Sequence, residues 1–166
     1  MKRIAVNLMV TAILLFIACN NPKNHQNMTT QNNQSLYPKG NKLSNEWFSG
    51  NALLMPLIAK DKNNEFYAGR VTFEPGARTN WHTHPKGQVL LIIEGKGYYQ
   101  EKGKPTQVIQ KGDVVNIPEN KVHLHGATAT TQMVHIAITN YKEEEQVSWL
   151  QAVTEEEFTT ANEINN

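Results

Sequence analysis

Trp81-His82-Thr83-His84-Pro85-Lys86-Gly87-Gln88 is the stretch on which the reading of this chain turns. On an extended strand, residues two apart point to one face, so His82 and His84 can reach one ion together. The Pro85-Lys86-Gly87 turn then lets Gln88 bring an amide oxygen back to the same place. Further along, His123 and His125 repeat the strand spacing and His135 follows, so five of the six histidines fall between 82 and 135. Imidazole nitrogen with amide oxygen is a donor set suited to a divalent transition ion. If His123 faces such an ion, His125 shares its face. His135 shares a face with Met133, Ala137 and Thr139, where a lone histidine also reads as a buried, hydrogen-bonded core residue.

Around this stretch the chain reads as short strands between turn residues: Leu53 to Ile58, Phe66 to Phe73, Val89 to Ile93, Tyr98 to Glu101, Thr106 to Ile109, Asp113 to Ile117, Val122 to Gly126 and Met133 to Thr139. Pro56 marks an edge or a bend. Glu94-Gly95-Lys96-Gly97 reads as a stop between two strands. Turn signals recur at roughly ten-residue spacing, the pattern of an all-β sandwich or barrel. After Tyr141 the character changes. Thr154-Glu155-Glu156-Glu157 fits a capping box and predicts a short C-terminal helix that packs Phe158 on the barrel, with Trp149 and Leu150 nearby. Residues 161–166 are expected to form a frayed tail.

At the other end, Lys2 and Arg3 precede an apolar run from Ile4 to Ala18 that closes on Cys19, the only cysteine. That is the form of a secretory signal. Phe16-Ile17-Ala18-Cys19 resembles a bacterial lipobox, in which the cysteine is lipidated and becomes the mature N-terminus. The expectation is a signal peptide at 1–18 and a lipid anchor on Cys19. The body is then exported and tethered to a bacterial membrane, and Asn20 is compatible with an outer membrane facing the periplasm. The run is short for a membrane span, which needs about 20 apolar residues. Residues 19–44, rich in Asn, Gln, Thr and Lys, bury too little to offset ordering entropy and read as a disordered tether, with His25 as a solvated linker residue. Residues 45–160 make one domain. Beyond Cys19 no disulfide can form, and the net charge of +1 gives no electrostatic case for nucleic acid.

Two spaced motifs then stand out. Gly76-x5-His82-x-His84-x3-Gln88-x6-Gly95, followed by Gly112-x5-Pro118 and His123, resembles the signature pair of the cupin superfamily, whose fold is a small double-sheet β-barrel related to jelly rolls. The fold this implies is an all-β, single-domain, jelly-roll-like barrel with a short C-terminal helix. The departures are Gln88 for the usual glutamate, and Asn120 and Ala127 at positions that are usually glycine and asparagine. The runs Val71–Thr79, Trp81–Gln88, Gly112–Val115, His123–Ala127 and His135–Ile138 are similar to bacterial cupin hydroxynitrile lyases, as are Trp47–Gly50 and Trp149–Phe158. Ile136 stands where that group commonly has leucine.

This resemblance implies a manganese site built by His82, His84, Gln88 and His123, with His125 and His135 as unligated histidines in the pocket. Fe2+, Ni2+, Co2+ or Zn2+ would suit similar donors. It implies cleavage of cyanohydrins, a small-molecule substrate, by activation of the hydroxyl, with His125 or His135 taking the proton and Arg78 a candidate to meet the cyanide. Gly69, Val71 and Phe73 share one strand face and are expected to line an apolar substrate pocket with Thr139. Three neutral imidazoles and a neutral amide leave the ion's charge uncompensated, which strengthens it as a Lewis acid. Gln88 cannot accept a proton at neutral pH, unlike the glutamate base invoked for flavonol-cleaving cupin dioxygenases. An oxygen-using cupin acting on a phenol or flavonol, and a non-catalytic lipoprotein that binds a small ligand, are the competing readings. Cupins often pair through strand edges, so a homodimer or higher homo-oligomer is open.

Overall fold

The computed structural model describes residues 37–163. The expected signal peptide 1–18, the lipidation site Cys19, most of the tether and residues 164–166 of the tail lie outside the described residues. In chain order the elements are β1 (Asn41–Lys42), β2 (Phe48–Ser49), β3 (Ala52–Ile58), β4 (Phe66–Phe73), β5 (Arg78–Thr79), β6 (His82–Thr83), β7 (Gln88–Glu101), β8 (Gln107–Gln110), β9 (Val114–Ile117), β10 (His123–Ala127), β11 (Met133–Asn140), β12 (Ser148–Trp149) and α1 (Glu155–Glu163). The all-β expectation with a C-terminal helix holds.

β7 organises the rest. Its first half pairs with β9 on one edge and β11 on the other. Its second half pairs with β8 and β10. Outward from β11 lie β4, β3 and β1; outward from β10 lie β5 and β2, and also β6 with β12. All these pairings are antiparallel. One 14-residue strand therefore belongs to both halves of the curled sheet. The Glu94–Gly97 segment was expected to end a strand, and here the structure corrects the reading: the chain bends without turning back. Gly95 has φ 73°. A Cβ at that position would lie 1.9 Å from the Gln132 carbonyl oxygen. Only glycine adopts this backbone cheaply and admits so close an approach. A register shift opposite Val134 and His135 adds a bulge that helps re-aim the strand.

Two further boundaries differ from expectation. The tether ends sooner than residue 44, because Asn41 and Lys42 pair with Leu54 and Leu53, and Leu43 packs on the core. Burial of Leu43 rewards the ordering that the preceding polar residues could not. The frayed tail also begins later than 161. α1 runs to Glu163, and Ala161 is buried in a cluster with Trp81, Tyr98, Leu124 and Val153. The capping box forms as the motif predicts: Glu157 N–H donates to Thr154 Oγ1 at 3.1 Å, and Thr154 N–H donates to Glu157 Oε2 at 2.9 Å. Phe158 packs against Tyr98 with ring centroids 5.9 Å apart. The main core, which includes Phe73, Leu90, Ile92, Ile117 and Met133, lies inside the curl of the sheet.

Candidate metal centre

β6 is only two residues long, but it is pinned on both sides. His82 pairs with His123 of β10 and with Trp149 of β12. Gly87 closes the turn after it, donating its N–H to the His84 carbonyl at 3.2 Å. A Cβ on Gly87 would meet the Ile117 carbonyl oxygen at 2.6 Å, so the close packing of this turn demands glycine. The turn delivers Gln88 to the start of β7, opposite Thr139 of β11. Strand alternation on β10 sends His123 and His125 to the same side, and β11 adds His135.

The rings converge. Ring centroids are 4.1 Å apart for His82 and His123, 5.1 Å for His82 and His84, and 5.5 Å for His84 and His123. His125 lies 5.4 Å from His82 and 5.1 Å from His135. Ring nitrogens of His82, His123 and His125 all fall within 4.8 Å of one another. Spacing alone would therefore place His125 with the ligands and leave His84 aside.

Hydrogen bonding draws a different line. His82 Nδ1–H donates to the Asn80 carbonyl at 3.0 Å, His84 Nδ1–H to the Gln146 carbonyl at 2.5 Å, and His123 Nδ1–H to the Lys121 carbonyl at 2.8 Å. A carbonyl oxygen only accepts, so each ring carries its proton on Nδ1 and turns a lone pair outward on Nε2. Among the described residues, Nε2 of His84 and of His123 is buried without a hydrogen-bond partner. Gln88 Nε2 donates to Thr139 Oγ1 at 3.1 Å, which leaves its buried Oε1 likewise unpartnered. Backbone carbonyls that hold the far nitrogen of a histidine are the usual support of a metal ligand. His82, His84, Gln88 and His123 thus present aimed, neutral donors that fit a divalent cation. Among the described residues His125 and His135 have no such anchor: His125 Nδ1 and both ring nitrogens of His135 are buried without partners there.

Electrostatics agree with neutral rings. Burial, and then repulsion from His123 and His84, holds His82 well below its ordinary pKa of 6.5. Burial pushes His123 down to about 4 and His135 down to about 3. His125 also lies well below 6.5, first through burial and then through repulsion from His135 and the other rings. His84 is lowered by burial, partly offset by its bond to Gln146 and by Gln88. Moving these groups from water into the core costs least when they are neutral imidazoles.

A cavity of about 290 Å³ opens beside them. His82, His84, Gln88, His125 and His135 line it, while His123 is fully buried beside His82, with ring centroids 4.1 Å apart. Val71, Phe73 and Thr139 also line it, as their strand faces require. Gly69 does not reach it. Leu54 and Tyr67 cover that glycine, whose added Cβ would meet Leu54 Cδ1 at 2.7 Å and Tyr67 Cε1 at 2.9 Å. Arg78 does not reach it either, because neighbours on a strand face opposite ways and Thr79 takes the cavity side. The guanidinium instead pairs with Glu155 at 2.5 Å and lies over Phe158 at 4.1 Å, beneath α1. Both residues are corrections to the expected site. His135 stacks on Phe73 at 5.6 Å, and the remaining wall is mostly apolar, with Leu43, Leu54, Trp47, Phe48, Tyr67 and Trp149 beside the polar Ser44, Thr79 and Gln146. Tyr67 was legible, since it shares the alternation of Val71 and Phe73. Trp149 and Gln146 carried no periodic signal.

Residues 69–139 match a cupin domain family model. The chain is 41% identical over 113 residues to an (R)-mandelonitrile lyase from Granulicella tundricola, across 68% of this chain and 86% of that protein. A crystal structure of a cupin-like protein from Thermotoga maritima superposes with a TM-score of 0.74 and 45% identity, covering 78% of this chain and 98% of that one. A predicted oxalate decarboxylase from the same organism shares the fold alone, with a TM-score of 0.54 and 22% identity over 66% of this chain and 90% of that one. With two short histidine-bearing strands converging on one cavity and a relative matched over most of its length, this chain belongs to the cupin superfamily.

Proposed function

We propose that this chain is a lyase that cleaves cyanohydrins into a carbonyl compound and hydrogen cyanide, and catalyses the reverse addition. The observation that carries this reading is the pairing of two kinds of neutral histidine in one cluster beside the cavity. His82, His84 and His123 are anchored through Nδ1, while His125 and His135 keep unpartnered nitrogens beside an apolar wall. Similarity to the Granulicella enzyme supports the same reaction.

His82, His84, Gln88 and His123 would hold a divalent cation, which we assign as Mn2+, and that ion supplies the Lewis acidity that makes a neighbouring hydroxyl more acidic. Phe73, Val71 and Trp149 bind the organic part of the substrate and exclude water. His125, neutral at working pH, accepts the hydroxyl proton. The oxygen lone pair then closes the carbonyl as the bond to the nitrile carbon breaks, and that electron pair leaves with cyanide. The proton passes from His125, directly or through His135 at 5.1 Å between ring centroids, to the expelled cyanide. Atoms and charge balance without an oxidant. In this reading the body is exported and held at a membrane by a lipid on Cys19, and Cys19→Ser would release it from the membrane fraction.

The test is cyanide release from mandelonitrile by the Mn2+-loaded protein, with bound metal measured on the same samples. We expect release to vanish on chelation and to return with Mn2+. We expect His125→Ala to keep its metal while losing at least roughly 100-fold in rate, the usual scale of a lost general base. Release unaffected by chelation would overturn the reading.

A further inference from the structure

His82 of β6 and His84, which follows it, are gripped by a part of the chain far away in sequence. The Gln146 carbonyl accepts His84 Nδ1–H at 2.5 Å. Three residues later, Trp149 pairs with His82 through the backbone and lays its ring 4.9 Å from the His82 ring. Leu150 N–H donates to the Trp81 carbonyl at 2.8 Å, and Trp81 N–H donates to the Gln151 carbonyl at 3.1 Å. β12 is short, and two residues alone would not hold this geometry.

α1 supplies what β12 lacks. Glu155 meets Arg78, whose side chain is only 6% exposed and sits on β5, one residue before the cavity-lining Thr79. Glu157 accepts the Trp81 indole N–H at 3.3 Å and pairs with Lys102 at 3.0 Å. Lys102 in turn lies over the Trp81 ring at 4.2 Å. Trp81 directly precedes His82. The helix therefore clamps the residue before one candidate ligand, and the segment Gln146–Trp149 leading to it clamps both candidate ligands.

We propose that Gln146–Trp149, locked by α1 through Arg78 and Trp81, is a strap that sets how tightly this site holds a divalent cation. Arg78 and Glu155 are positioning residues that touch neither substrate nor cation; Trp149 also lines the cavity, and its hold on the cation acts through His82. The inference rests on reading His82, His84, Gln88 and His123 as the cation site, and it is independent of which reaction follows. The strap fixes the tautomer of His84 and the tilt of His82 before a cation arrives, so little ordering remains at binding.

The experiment compares the full-length protein with Trp149→Ala, Trp149→Phe and Glu155→Ala. Mn2+ affinity is read by calorimetry, the visible absorption band by Co2+ substitution, and the unfolding midpoint without metal. We expect Trp149→Ala to weaken Mn2+ binding roughly 10- to 100-fold, the usual effect of losing an outer support of a ligand. Its Co2+ band should shift, and Trp149→Phe should recover most of the affinity. Glu155→Ala lies at an exposed position, its folding is checked by the metal-free unfolding midpoint, and it should weaken Mn2+ in the same direction by a smaller factor. Wild-type affinity and an unshifted Co2+ band in both Trp149→Ala and Glu155→Ala would overturn the strap alone. Failure of the wild-type protein to bind Mn2+ or Co2+ at all would overturn the cation site and the strap together.

Discussion

An amide can turn either its oxygen or its nitrogen toward a cation, and only the oxygen can hold one. In Gln88 the choice is made by Thr139, whose hydroxyl accepts the amide N–H at 3.1 Å. Thr139→Val removes that acceptor and lets the amide rotate. We expect roughly tenfold weaker Mn2+ binding by calorimetry, with Thr139→Ser close to wild type. Equal affinities across the three proteins would remove Gln88 from the donor set. The face of Thr139 was readable from strand alternation, and it does line the cavity. Its hydrogen-bond partner was not readable, because pairing between Gln88 and Thr139 depends on the β7–β11 register. Arg78 shows the same limit. An arginine near the histidines in sequence reads as catalytic until its strand parity is known, and parity places it under α1.

Among the elements, β7 departs most from what its residues announce. Glycines flanked by charge usually mark a loop, yet here the neighbouring strands hold both halves of the segment in pairing. A tertiary partner on each side outweighs the local signal. Replacing Gly95 by Val should cost at least about 2 kcal/mol, since φ 73° is unfavourable for a branched residue and the Gln132 carbonyl stands where Cβ must go. Urea unfolding measures the loss, and a midpoint unchanged from wild type would contradict the bend. α1 follows local rules more closely. Thr154→Ala should cost about 1 kcal/mol by removing the acceptor for the Glu157 N–H. Its capping box is written in four consecutive residues, which is why it could be read without the fold.

For the molecule as a whole, five buried imidazoles impose a pH dependence on the metal-free protein. In the unfolded chain histidines take up protons as pH falls through about 6.5, whereas His123 stays neutral to about 4 and His135 to about 3 when folded. The unfolded state binds more protons throughout that window, so stability is full above about pH 6.5 and drains away as pH falls toward 3. Unfolding midpoints measured after chelation should fall steadily from pH 7 to pH 4. A flat profile would mean that these rings are protonated in the native state. Adding Mn2+ at 100 times its dissociation constant should raise stability by about 2.7 kcal/mol at neutral pH, an effect that acid erodes because protons compete for the same nitrogens. The all-β class was legible at this scale from regular turn spacing and the two histidine motifs. Part of the cavity wall was not, since it is assembled from segments at opposite ends of the domain that carry no shared period, Leu43 to Phe48 and Gln146 to Trp149. Where those segments meet, Trp47 and Trp149 stack at 5.6 Å, with Trp149 alone resting against His82. With Mn2+ in the proposed site, a stack resting on the His82 ring would make the protein its own optical gauge: ultraviolet emission should dim as Mn2+ loads and brighten as it leaves, with Trp149→Phe removing most of the signal change.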